Sequence, residues 1–112
     1  MTQHAPVEPF GRLTATEAAD RIRSGELRVV DVREQWEYAR DHIPEATLTP
    51  LGQIIAKPQE AITSDNVIFV CEVGQRSAVA AELAAATGMK RVYNLEGGMQ
   101  AWRGAGLPTE TA

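Results

Sequence analysis

Asn66-Val-Ile-Phe-Val-Cys71, followed at once by Glu72-Val-Gly-Gln-Arg-Ser77, is the stretch on which the fold turns. A continuous apolar run rich in β-branched residues reads as a central strand buried on both faces. The alanine-rich run Ser77–Thr87, closed by Gly88, reads as the helix that follows it. A buried strand joined by a short loop to a helix is the core of a parallel crossover unit.

The same alternation extends in both directions. Downstream, Arg91-Val-Tyr-Asn-Leu95 reads as a strand, Gly97-Gly98 as a turn, and Met99–Arg103 as a last helix ended by Gly104, Gly106 and Pro108. Upstream, Thr14-Ala-Thr-Glu17 is a capping box that opens a helix over 15–24. Its apolar face is Ala18, Ala19 and Ile22, with Glu17 and Arg21 as an i,i+4 pair and Gly25 at its end. Arg28-Val-Val-Asp-Val32 is a short strand, and Glu34–Asp41 a helical stretch stopped by Ile43-Pro44. Ala46–Thr49 reads as a brief strand, and Leu51, Ile54 and Ile55 as a helix ending before Pro58. The pattern predicts an α/β domain: a parallel sheet covered on both faces, with right-handed crossovers. Residues 1–9, with two prolines and no periodicity, read as a flexible lead-in. Residues 10–108 form the domain and 109–112 a short tail. Trp36 and Trp102, spaced with Tyr38 and Met99, read as core packing.

Composition narrows the function. A chain of 112 residues has room for one core. With 11 basic and 15 acidic side chains it carries a net charge of −4, which excludes a general nucleic-acid binder. A single cysteine excludes an internal disulfide. No apolar stretch is long enough for a membrane span or an export signal, so the expected location is the cytoplasm, with no membrane partner. His4, His42 and Cys71 have no metal-ligand spacing, and Gly104-Ala-Gly106 follows a helix rather than a strand, so neither a metal nor a cofactor is expected.

Cys71 ends the most buried strand, and in parallel α/β sheets ligands sit beyond the carboxyl ends of the strands. Gly74 permits the positive φ that lets loop amides turn inward as a nest. The helix that follows and the charge of Arg76 add to a field that favours thiolate over thiol. A cysteine so placed reads as a nucleophile rather than a small buried hydrophobe.

From Leu13 to Pro108 the chain resembles a single-domain rhodanese, of the sulfurtransferase family. The resemblance rests on Val30-Asp-Val-Arg-Glu34, His42-Ile-Pro-Glu-Ala46, Cys71-Glu-Val-Gly-Gln-Arg-Ser77 and Leu95-Glu-Gly-Gly-Met-Gln-Ala-Trp102. It implies a five-stranded parallel sheet flanked by helices, and a Cys71 that carries sulfur as a persulfide. It further implies that the amides of Glu72, Val73, Gly74, Gln75, Arg76 and Ser77 cradle the terminal sulfur, with Arg76 holding an anionic donor. Asp31, Arg33 and His42 match positions that support the site structurally. The implied donor is thiosulfate or a persulfide, and the acceptor is cyanide, a small thiol or a thiol protein. Sulfite and thiolates leave without much protonation, so no dedicated general base is required.

The sequence departs from the family pattern at two places. Glu45 stands where the family commonly has glycine. Glu72, beside the nucleophile, puts an acidic group where it opposes an anionic donor. Two other readings compete with sulfur transfer. Cysteine-dependent phosphatases and arsenate reductases need five residues between cysteine and arginine, and here four separate Cys71 from Arg76. A non-catalytic rhodanese-like binding module is usually marked by loss of the cysteine, and Cys71 is present.

Overall fold

The computed structural model describes residues 8–111, and most of the lead-in expected over 1–9 lies outside them. Five parallel strands form one sheet: β1 (Gly11–Leu13), β2 (Arg28–Asp31), β3 (Thr47–Leu48), β4 (Val67–Val70) and β5 (Val92–Leu95), in the order β1-β5-β4-β2-β3. Six helices connect and cover them: α1 (Ala15–Arg23), α2 (Gln35–Arg40), α3 (Leu51–Ala56), α4 (Pro58–Ala61), α5 (Gln75–Ala86) and α6 (Gly98–Gly104).

Successive side chains of a strand point to opposite faces, and β4 divides the core accordingly. Ile68 and Val70 join a cluster with Ala18 and Ala19 of α1 and Met99 and Trp102 of α6. Val67, Phe69 and Cys71 join the opposite cluster, with Ile54 of α3 and Ala80, Ala81 and Ala84 of α5. Those three alanines are fully buried, so α5 packs close to the sheet without bulky side chains. Cys71 lies one residue past β4 yet continues the row that faces α5. Tyr38 of α2 packs on the first cluster, whereas α5 belongs to the second. The adjacent strands β2 and β4 thus send their chains to opposite faces, which opens a crevice at their carboxyl ends.

Several local expectations change. β1 is too short and too polar to read as a strand, yet it pairs in register with β5, and the Tyr93 ring covers Gly11 at 2.6 Å from where a Cβ would stand. Pro58 does not only end α3; it opens α4 from its first position, where a missing amide costs nothing. Helix α5 begins at Gln75 rather than Ser77, because Gly74 adopts φ 97 and caps it. Glu17 turns back to Thr14, and Arg21 bonds Glu26 and Tyr93, so no Glu17–Arg21 pair forms. Trp102 is buried as expected, but Trp36 is 65% exposed, with the Arg40 guanidinium 5.5 Å from its ring. Its place in the first turn of a six-residue helix turns it outward. Glu45 has φ 70, the left-handed conformation glycine adopts freely; as glutamate it costs about 1 kcal/mol and keeps that path. The last residues are tied back, since His42 and Glu110 exchange two backbone hydrogen bonds of 2.8 Å. Among the described residues no helix is long and apolar enough to cross a membrane.

Gly98 is the tightest point of the fold. With φ 56, a Cβ there would stand 2.3 Å from the Cys71 carbonyl oxygen and 2.6 Å from the Glu72 carbonyl. Gly98→Ala is expected to destabilise by about 3 kcal/mol, through overpacking and a strained φ. Gly52→Ala, in open space on α3, should leave stability unchanged or raise it by up to about 1 kcal/mol. Thermal or denaturant unfolding of the two variants checks both.

Candidate active site

The site begins where β4 runs out. Cys71 is fully buried beneath residues 72–77, and its Sγ accepts a hydrogen bond from the Gly74 amide at 3.1 Å. The Ser77 hydroxyl lies 3.3 Å from the same sulfur, and the amides of Ser77 and Val73 also face it. Burial pushes the thiol up, but the Ser77 hydroxyl and the three amides together outweigh burial and bring it below the ordinary thiol range. Donors and burial thus oppose each other around one sulfur.

For the amides to face inward, the carbonyls must face elsewhere. Met99 and Gln100, in the first turn of α6, donate to the carbonyls of Cys71 and Glu72 at 2.9 and 3.1 Å. Asn94, from β5, donates through Nδ2 to the Gly74 carbonyl at 3.0 Å and accepts the Ser77 hydroxyl on Oδ1 at 2.5 Å. Asn94 was not among the residues the sequence singled out. Its signal was a polar residue on a buried position of an otherwise apolar strand.

The charged residues near the loop are paired. Arg76 grips Glu37 with two hydrogen bonds, 2.7 and 2.9 Å, across the crevice between α5 and α2. Its charge, expected to hold an anionic donor, faces a carboxylate here. Glu72 is held by Arg103 at 2.7 and 3.1 Å and by Arg33 at 3.3 Å. The hydrogen bond from Arg103 lowers its carboxyl below the usual range despite partial burial. Glu72, expected to oppose an anionic donor, thus stands in an ion pair with both arginines. Beneath them Arg33, fully buried, is clamped by Asp31 and donates to the Asp41 carbonyl.

Of the residues read from sequence, Cys71, Val73, Gly74 and Ser77 converge on one sulfur. Glu72, Arg76, Asp31 and Arg33 form its supporting ion pairs, and the Gln75 side chain is exposed. The ring of His42, expected to support the site, stacks on Tyr38 at 3.8 Å, and its Nδ1 lies 2.8 Å from the Tyr38 carbonyl. Among the described residues no group of three His, Cys, Asp or Glu side chains could hold a metal.

Comparison with known proteins gives a consistent result. A family model described as "Rhodanese-like domain" matches residues 14–105. The chain is 37% identical over 78 residues to "Putative sulfur carrier protein YrkF" of Bacillus subtilis, covering 70% of this chain but only 42% of that protein. It is 37% identical over 83 residues to "Putative sulfurtransferase YtwF" of the same organism, covering 74% of this chain and 80% of that one. A crystal structure of a rhodanese-related protein from Thermoplasma volcanium superposes with a TM-score of 0.81 at 26% identity, over 92% of this chain and 100% of that chain.

The Glu37–Arg76 clamp makes the crevice acid-sensitive. The Arg76 guanidinium holds the Glu37 carboxyl down to about 2, against an ordinary 4.5. Its contribution is present in full above pH 4.5 and is lost as pH falls from there through 2. The Arg76 side chain is 36% exposed, so solvent screening reduces the contribution to about 2 kcal/mol. Glu37→Gln is expected to lower stability by that amount at pH 7, with the gap to wild type closing as unfolding is followed toward pH 2.

Proposed function

The chain belongs to the rhodanese-like family, and from this we propose that it is a sulfurtransferase that carries sulfane sulfur as a persulfide on Cys71. The observation that supports this most is the buried Cys71 sulfur with the Gly74 amide at 3.1 Å and the Ser77 hydroxyl at 3.3 Å. That ring of donors suits a sulfur anion. The Cys71 thiolate attacks the terminal sulfur of thiosulfate, forming an S–S bond and releasing sulfite with the electron pair of the broken bond. With a low-molecular-weight persulfide as donor, a thiolate leaves instead. An acceptor thiolate, or cyanide, then attacks the outer sulfur and restores the Cys71 thiolate. Neither half-reaction needs an oxidant, a cofactor or a general base.

The persulfide anion is the species the loop fits best. An S–S bond places the outer sulfur about 2 Å beyond Sγ, toward the amides of residues 72–77. The resting thiol has no exposed surface, so loading requires the loop to admit the donor's terminal sulfur. An acceptor meets a sulfur that stands closer to the mouth, beside the exposed Val73 and Gln75. Because Arg33 and Arg103 offset Glu72, a dianionic donor meets little net repulsion from that side chain. Arg76 serves by keeping α5 and the loop fixed against α2 through Glu37, more than by binding the donor.

Intact mass after incubation with thiosulfate is expected to show one added sulfur that a reductant removes, and Cys71→Ser should fold and show none. A folded serine variant that gains sulfur would overturn the proposal. Glu72→Gln is expected to leave thiosulfate kcat/KM within about twofold of wild type while lowering stability by about 1 kcal/mol. Steady-state thiosulfate:cyanide assays and unfolding measure the two effects.

A further inference from the structure

Two acceptors share the one hydroxyl proton of Ser77: Asn94 Oδ1 at 2.5 Å and Cys71 Sγ at 3.3 Å. The orientation of the Asn94 amide is fixed independently, because its Nδ2 must face the Gly74 carbonyl 3.0 Å away. Its oxygen is therefore held toward Ser77. In the thiol state there is no contest: the sulfur carries its own proton and is a weak acceptor, so the Ser77 O–H can stay on Asn94 Oδ1. In the thiolate state a single proton remains for both Sγ and Oδ1, so the Asn94 oxygen competes with the sulfur for it. In the persulfide state the negative charge moves to the outer sulfur, Sγ becomes a poor acceptor, and the Ser77 proton returns to Asn94 without conflict.

We propose that Asn94 is a positioning residue of the Cys71 site: by claiming the Ser77 hydroxyl proton it disfavours the bare thiolate relative to both the resting thiol and the sulfur-loaded state. The inference deepens the sulfurtransferase reading, but its core, the contest for one proton, is a property of the empty site. The ion-paired groups on the elements packed around the sulfur are Asp31 and Arg33 at the end of β2, Glu37 on α2, Glu72 in the loop, Arg76 on α5 and Arg103 on α6; Arg28, Arg40 and Glu82 lie elsewhere on β2, α2 and α5. The ion-paired groups pair with one another or with Asp41, and no charged group is altered in the test.

Cys71 is the chain's one cysteine, so thiolate absorbance in the ultraviolet, with Cys71→Ser subtracted, titrates it alone. The titration is run on wild type, Asn94→Ala, Ser77→Ala and the double variant. Loss of the Asn94–Gly74 bond is common to both Asn94→Ala comparisons and cancels in the cycle. The Asn94→Ala shift is expected to be lower by about half a unit or more with Ser77 present than in the Ser77→Ala background, because only then is a hydroxyl proton released to the thiolate. Equal shifts in the two backgrounds, or a difference of opposite sign, would overturn the assignment. If Asn94→Ala does not fold, Asn94→Val, which suits a strand and removes the same two polar groups, completes the cycle. No sulfur donor enters the titration. Failure of sulfur loading with the coupling intact would reject the sulfurtransferase proposal alone; loading without the coupling would reject only the role of Asn94.

Discussion

A peptide group cannot turn its N–H toward a buried sulfur without sending a carbonyl the other way. That constraint organises this domain. With the loop after Cys71 curled so that its amides face Sγ, the carbonyls of Cys71, Glu72 and Gly74 need partners on the far side. Each one left buried and unpaired would cost about 1–3 kcal/mol. The partners come from the end of the chain: two free amides in the first turn of α6 and the side-chain amide of Asn94. Gly97 and Gly98, both with positive φ, allow α6 to begin close enough for this, and only a residue without a Cβ fits at Gly98. The glycine pair thus belongs to the site as much as to the turn.

The ion pairs extend the same frame. Arg33 and Arg103 are shared among Asp31, Asp41 and Glu72, which ties the end of β2, the C-terminus of α2, the loop and α6 into one cluster. Arg33 is fully buried, and removing one carboxylate from such a cluster leaves a guanidinium partly uncompensated, a cost that exceeds what the intact pair contributes. Glu72 beside the nucleophile is then intelligible. Its carboxylate fastens the loop to two arginines on neighbouring elements, and its own charge is consumed in doing so.

What the sequence disclosed and what it concealed follow from the range of the interactions. The strands β2, β4 and β5 and the helices α1 and α5 are marked by local apolar patterns, so Val67–Val70 and the Thr14 capping box are legible directly. Cys71, Gly74 and Ser77 are legible too, because a strand, a glycine and a helix start lie within a few residues of one another. The edge strand β1 holds one buried apolar residue, Leu13, and exists only because β5 offers it a ladder. The arginines that hold Glu72, the Glu37 that holds Arg76 and the Asn94 that holds Ser77 lie 17 to 39 residues away, so the charge and proton balance of the site is set by the fold and carries no local mark. Trp36 misleads for the opposite reason: helical spacing suggests a core face, but a helix of six residues is too short to bury all its large side chains.

Stabilising the thiolate and making it reactive are not the same thing. Donors that lower a thiol's pKa also draw charge from the sulfur, and nucleophilicity falls with basicity, with a Brønsted slope of about 0.4–0.5. At this site burial opposes the donors, so the thiol is brought down by their surplus over burial alone. Three amides and a hydroxyl surround a sulfur that has no exposed surface. Placed about 2 Å further out, a persulfide's anionic sulfur would meet the loop amides rather than the hydroxyl. The Ser77 hydroxyl would then be left to Asn94, whose oxygen lies 2.5 Å away. On the proposed chemistry the donors of this loop serve the sulfur that is carried as well as the thiolate that takes it up.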